Sequence, residues 1–129
     1  MAGQPFNWGF YYTLANELAT RADEAAHRSA ISRAYYYVYH LALIRATTNG
    51  FRPIRGEATH AQLWRKYSDS PDPACRQLGE MAKRLKEKRE RADYNQFYPR
   101  LHDDIDGLIN DAQDFATRLG ALPQRFPQC

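Results

Sequence analysis

Residues 28–50 read RSAISRAYYYVYHLALIRATTNG and hold four tyrosines, three arginines and a histidine. No proline or glycine interrupts the run until Asn49-Gly50, a pair that suits a helix C-terminus. Spaced at about 100° per residue, Ala30, Ala34, Val38 and Leu41 fall on one stripe, as the buried face of a helix would. Arg33, Tyr37 and His40 line up along the edge of that stripe. Such an edge admits two explanations. Long side chains can lay their stems on a core and keep their tips wet. Alternatively, a half-buried cation and imidazole can serve a phosphate contact or a proton transfer.

Outward from this segment, helical spacing recurs four more times. A first helix follows Asn7, a plausible N-cap, and runs to about Thr20. The quoted segment belongs to a second helix that begins near Asp23. Gly50, Pro53 and Gly56 then mark a loop, and Thr59 is placed to cap a short third helix through about Tyr67. A fourth runs from about Ala74 to Asn95, and Pro99 marks the break before a fifth over roughly Leu101 to Leu119. Alternation of apolar and polar residues never persists long enough for a strand. The expected fold is all-α: one domain over 1–129, an up-and-down bundle of four to five helices with its core at about 8–119. Residues 120–129, which contain proline, are expected to form a loose tail.

The chain has 129 residues and 43% apolar composition, which suits a single globular core. No run approaches the roughly 18 apolar residues of a membrane span. The opening MAGQPFNWGFYY lacks the basic start and long apolar centre of a signal peptide, which points to a cytoplasmic protein without membrane attachment. Two distant cysteines, Cys75 and Cys129, make neither a disulfide framework nor a metal cluster. No phosphate loop, metal-ligand spacing or nucleophile elbow is present, so neither a cofactor nor a metal is expected. Net charge is only +3. Its distribution is uneven, however: KRLKEKRER at 83–91 is strongly basic, whereas Asp103 to Asp114 holds five acidic residues and no basic one.

On the fourth helix Leu78, Met81, Ala82, Leu85 and Ala92 form the core stripe. Arg89 falls in the centre of it, and Asp93 lies one turn later on the same side. Arg84, Lys88 and Arg91 point away, toward solvent, where they could meet nucleic acid. An arginine in an apolar stripe needs an acceptor. Asp93 can supply one at i, i+4, giving a structural ion pair. The other explanation is a positive centre held for a phosphate or a developing oxyanion.

The segments SRAYYYVYHLALIRATTNG, THAQLW and RERADY, in that order, resemble HEPN domains, small helical bundles of prokaryotic toxin–antitoxin and defence systems. The likeness is greatest to the branch reading RAYYxxxH followed by R-x-x-A-D-Y, and it covers roughly residues 10–118. It implies a homodimer, with RNA or a nucleotide as ligand and a nucleotidyltransferase-type antitoxin or a defence-system subunit as partner. Many HEPN proteins are metal-independent ribonucleases in which an arginine is followed four to six residues later by a histidine. Here Tyr94 stands five residues after Arg89, where that histidine could be, and a tyrosine with a pKa near 10 carries protons poorly at neutral pH.

Three functions follow from the resemblance. The first is an RNA- or nucleotide-binding component built on Arg33, His40, Arg89 and Tyr94. The second is an endoribonuclease that leaves a 2′,3′-cyclic phosphate, using the same four residues with His60 or Asp93 added. The third is a non-catalytic structural partner subunit. Whether Arg33, His40 and His60 converge on Arg89 is a question for the structure.

Overall fold

A computed structural model describes residues 3–129 and contains five helices, with no strand among the described residues. They are α1 (Gly9–Ala19), α2 (Glu24–Thr48), α3 (Thr59–Ser68), α4 (Pro73–Tyr94) and α5 (Leu101–Ala121). The architecture is the expected all-α bundle. No helix among the described residues is long and apolar enough to cross a membrane.

Local chemistry sets the helix ends. Asn7 Oδ1 accepts from Gly9 N at 2.9 Å, at the start of α1. Asp23 caps α2 by accepting from Ala26 N at 3.1 Å, and Asp72 caps α4 by accepting from Cys75 N at 2.9 Å. Thr59 does not cap α3: it is the first helical residue, and Ala58, whose methyl group cannot accept a hydrogen bond, precedes it. Past Asn49, Gly50 takes a φ of 100°, the left-handed conformation that ends α2 cheaply only at glycine.

α2 packs against all four other helices, closely on α1, α4 and α5 and more lightly on α3. Ile31, Ala34, Tyr35, Val38 and Ala42 are fully buried on it. α3 lies mainly on α4, and Gly79 makes that approach possible. A Cβ there would sit 2.5 Å from Ser68 Oγ and 2.7 Å from the Ser68 backbone nitrogen.

Two arginines of α2 close the C-termini of its neighbours. Arg28 donates to the carbonyls of Arg91, Ala92, Asn95 and Gln96 at the end of α4. Arg45, itself buried, donates to Leu119 O at 2.7 Å and Phe126 O at 3.1 Å, with longer contacts to the Leu122 and Pro123 carbonyls. Cations at these positions satisfy carbonyls that a helix leaves unpaired and complement its dipole. The second set also corrects an expectation: residues 120–129 are not loose. α5 continues to Ala121, Leu122, Phe126 and Pro127 are buried, and Asn49 donates to the Gln124 and Pro127 carbonyls.

Candidate functional site

The α2 residues Ser32, Tyr35, Tyr36 and Tyr39 stand at i, i+3, i+4 and i+7, so they share one face. That face turns toward α3 and α4. α3 contributes His60 and Trp64, one turn apart, and α4 contributes Arg89 and Asp93, also one turn apart. The three helices thus bring a guanidinium, an imidazole, a carboxylate and several aromatic rings together.

Arg89 is buried, with only 8% of its surface exposed. Its guanidinium carbon lies 5.2 Å from the Tyr35 ring centre, 5.5 Å from that of Tyr36 and 6.0 Å from that of Tyr94. Its ion pair with Asp93 is long, at 3.5 Å, and Asp93 is shared with Ser32, whose hydroxyl lies 3.3 Å away. The buried Nε–H of Arg89 has no acceptor in the protein. That nitrogen is itself out of reach of solvent, so an anionic oxygen would meet the guanidinium at its terminal N–H groups, which are not sealed off in this way.

His60 flanks the same two tyrosines. Its ring centre lies 5.6 Å from Tyr35 and 5.8 Å from Tyr36, and it stacks on Tyr39 at 3.9 Å with the planes 11° apart. Nδ1 lies 2.6 Å from the Tyr35 hydroxyl oxygen, which also accepts from Trp64 Nε1 at 3.0 Å. Burial, followed by the positive charges of Arg89, Lys86 and His40, pulls the His60 pKa down to about 4, with Glu90 opposing. The imidazole is therefore neutral at neutral pH. The tyrosine hydroxyls of Tyr35 and Tyr39 have their pKa values raised, chiefly by burial.

The line of Arg33, Tyr37 and His40 does not form one groove with Arg89 and Asp93. Arg33 lies over the Tyr11 ring of α1, 4.9 Å from its centre, and Tyr37 packs on Tyr12. Because α1 covers this edge of α2, Arg33 belongs to the α1–α2 seam. His40 is the member that reaches the cluster. It stacks on Trp8 at 3.3 Å and meets Tyr39 edge-on at 5.1 Å and Tyr36 at 6.4 Å. Burial lowers its pKa as well.

Tyr94 is 78% exposed and stands at the outer edge of the site, with Phe97, 75% exposed, just beyond α4. Arg84 is elsewhere: it lines a cleft of about 560 Å³ together with Arg76 and Arg118. Arg91 is exposed and Lys88 half-buried on α4. Among the described residues, no group of three or more His, Cys, Asp or Glu side chains could hold a metal ion. Tyr35, Tyr36, Tyr39 and Trp64 were not candidates from sequence, although the i, i+3, i+4, i+7 spacing on α2 and the His60–Trp64 turn on α3 carried the signal. No protein-family model matches this chain, nor does any curated protein or solved structure.

Proposed function

We propose that this protein binds RNA or a nucleotide at Arg89, as a HEPN-type component of a prokaryotic toxin–antitoxin or defence system. The observation that carries the reading is the buried guanidinium of Arg89. It is charged at any physiological pH, set against tyrosine rings, weakly paired with Asp93, and left with an Nε–H that no protein group accepts. Phosphate oxygens match the terminal N–H groups of that guanidinium, and the exposed ring of Tyr94 beside it can stack on a base. The segments RAYY and RERADY support the family assignment on sequence resemblance.

The experiment is binding of a short oligouridylate, followed by fluorescence anisotropy at two salt concentrations. Wild type should bind, and Arg89→Ala should bind roughly 10- to 100-fold more weakly, as loss of a charge-assisted hydrogen bond implies. Equal binding by the two proteins would remove Arg89 from the site.

The endoribonuclease alternative draws on the nearness of His60 to Arg89, and the same RNA tests it. Cleavage in EDTA yielding a 5′-hydroxyl and a 2′,3′-cyclic phosphate would establish it, with the 2′-hydroxyl as nucleophile. Binding without cleavage favours the binding component. The homodimer and a nucleotidyltransferase-type or defence-subunit partner belong to the same proposal. Exposed Phe6 and Phe10 leave aromatic surface that an interface would cover. Analytical ultracentrifugation at tens of micromolar should then show a species heavier than the 15.0 kDa chain.

A further inference from the structure

Trp64, Tyr35 and His60 form a chain of hydrogen bonds whose direction follows from their chemistry. An indole N–H can only donate, and that of Trp64 reaches the Tyr35 hydroxyl oxygen at 3.0 Å. The same oxygen lies 2.6 Å from His60 Nδ1. Either the hydroxyl gives its single hydrogen to Nδ1, or Nδ1–H donates and the hydroxyl hydrogen is stranded. Tyr35 is fully buried. Stranding that hydrogen disfavours the second arrangement on the order of 10- to 100-fold. Burial also pushes the Tyr35 pKa up, so the hydroxyl keeps the proton it has to donate.

With Nδ1 accepting, the hydrogen of the neutral imidazole sits on Nε2. That nitrogen makes no hydrogen bond to the protein and is not among the buried atoms lacking a partner, so solvent reaches it. Stacking on Tyr39 and the edge-on contact with Tyr36 hold the ring plane. The charged groups acting on His60 are Arg89, Lys86 and Glu90 of α4 and His40 of α2, and the cations among them disfavour a second proton on the ring.

We propose that His60 is a fixed, neutral N–H donor to an anionic oxygen bound at Arg89, and that Tyr35 and Trp64 are the positioning residues that set its direction. The proposal rests on the reading of Arg89 as an anion-binding group. Its ligand class is a phosphodiester or phosphate ester, whose two non-bridging oxygens can take the terminal N–H groups of the Arg89 guanidinium and His60 Nε2–H. It also gives His60 a role different from acid–base catalysis. The basic nitrogen of the ring is engaged by Tyr35 and the other already carries hydrogen, so His60 polarises an oxygen without exchanging a proton.

Nitrogen-15 NMR of the full chain, labelled at histidine, tests the wiring without any variant. His60 should show a bare Nδ1 and a protonated Nε2 at neutral pH and should titrate only near about 4. Tyr35→Phe should give mixed tautomers and a higher titration midpoint. If that variant folds poorly because Trp64 N–H loses its acceptor, Tyr35→Phe with Trp64→Phe removes both ends of the bond and should show the same mixture. For the ligand, oligouridylate binding should weaken about 10-fold in His60→Ala and stay within about 3-fold of wild type in His60→Gln, whose amide N–H stands near Nε2. A wild-type His60 protonated at Nδ1, or titrating near the ordinary 6.5, overturns the inference even where Arg89-dependent binding leaves the function intact. His60→Gln binding as weakly as His60→Ala overturns the donor role. The expected tautomer combined with RNA binding indifferent to Arg89→Ala would leave the relay standing but sink both the donor role and the function it serves.

Discussion

Arg89→Met separates a structural ion pair from a binding centre, because the two roles predict different changes in stability. Methionine keeps the long stem in its apolar surroundings and removes only the charge and its donors. An i, i+4 pair at 3.5 Å, with the Asp93 side chain 29% exposed, contributes about 0.5 kcal/mol. The two closer tyrosine contacts, at 5.2 and 5.5 Å, add about 1 kcal/mol each. Against this stands a buried Nε–H with no acceptor, which costs about 1–3 kcal/mol. The contributions nearly cancel, so Arg89→Met should unfold in urea within about 1 kcal/mol of wild type, while oligouridylate binding falls roughly 10- to 100-fold. Asp93 is left partly solvated and still beside Ser32, so it adds little penalty. A buried pair that held the fold together would lose about 3–5 kcal/mol on removal of one partner. Destabilisation of that size, with binding unchanged, would refute the argument.

Arg45→Met should cost about 2–4 kcal/mol, since the buried carbonyls of Leu119, Leu122 and Phe126 lose a charged donor, and limited proteolysis should then cut within 122–129. A protease-resistant tail in that variant would mean that Arg45 does not hold it. Gly79→Ala should destabilise by about 1–3 kcal/mol, because the new Cβ meets the Ser68 backbone nitrogen at 2.7 Å and α3 must shift, which a thermal melt would show. His60 gives stability a pH dependence. Its folded pKa, lowered to about 4, lies below the ordinary 6.5, so its contribution is complete above the unfolded value and is lost as pH falls from 6.5 toward 4. Partial solvent exposure of the half-buried ring limits this to roughly 1 kcal/mol. His60→Gln should flatten that part of the urea-midpoint profile, whereas His40, lowered in the same direction, keeps a remainder.

The bundle was legible because its punctuation is local. Asp23, Asp72, Gly50 and Pro99 act within a turn of themselves, and the helices they bound fall close to the expected limits. α4 was legible for a related reason. It has one apolar stripe and one solvent face, so an arginine in the stripe stands out, and Arg89 and Asp93 are where the spacing put them. α2 gave less because four helices pack around it. A helix with several buried faces has no single edge, and the line of Arg33, Tyr37 and His40 was one seam among several. The C-terminal segment failed as an expectation for a different reason. Its order comes from Arg45, 74 residues before Leu119 in the chain, and nothing within 120–129 announces that donor.

The donor assignment at His60 shows how far spacing alone can go. His60 and Trp64 are one turn apart on α3, and Tyr35 shares a face with Tyr36 and Tyr39 on α2; both facts can be read from the chain. The direction of the hydrogen cannot, because it depends on both α3 residues reaching one oxygen 25 and 29 residues away. A shift of either helix by one residue would turn Tyr35 about 100° from the pair and break the chain of bonds. Helix register, more than side-chain identity, therefore decides whether this histidine is a proton carrier or a fixed donor. Gly79, by letting the end of α3 approach α4, belongs to that register. Gly79→Ala should accordingly disturb the His60 tautomer as well as stability, although Gly79 lies outside the aromatic cluster. An unchanged nitrogen-15 spectrum at His60 in a folded Gly79→Ala protein would show instead that α2 and α3 hold the relay by themselves.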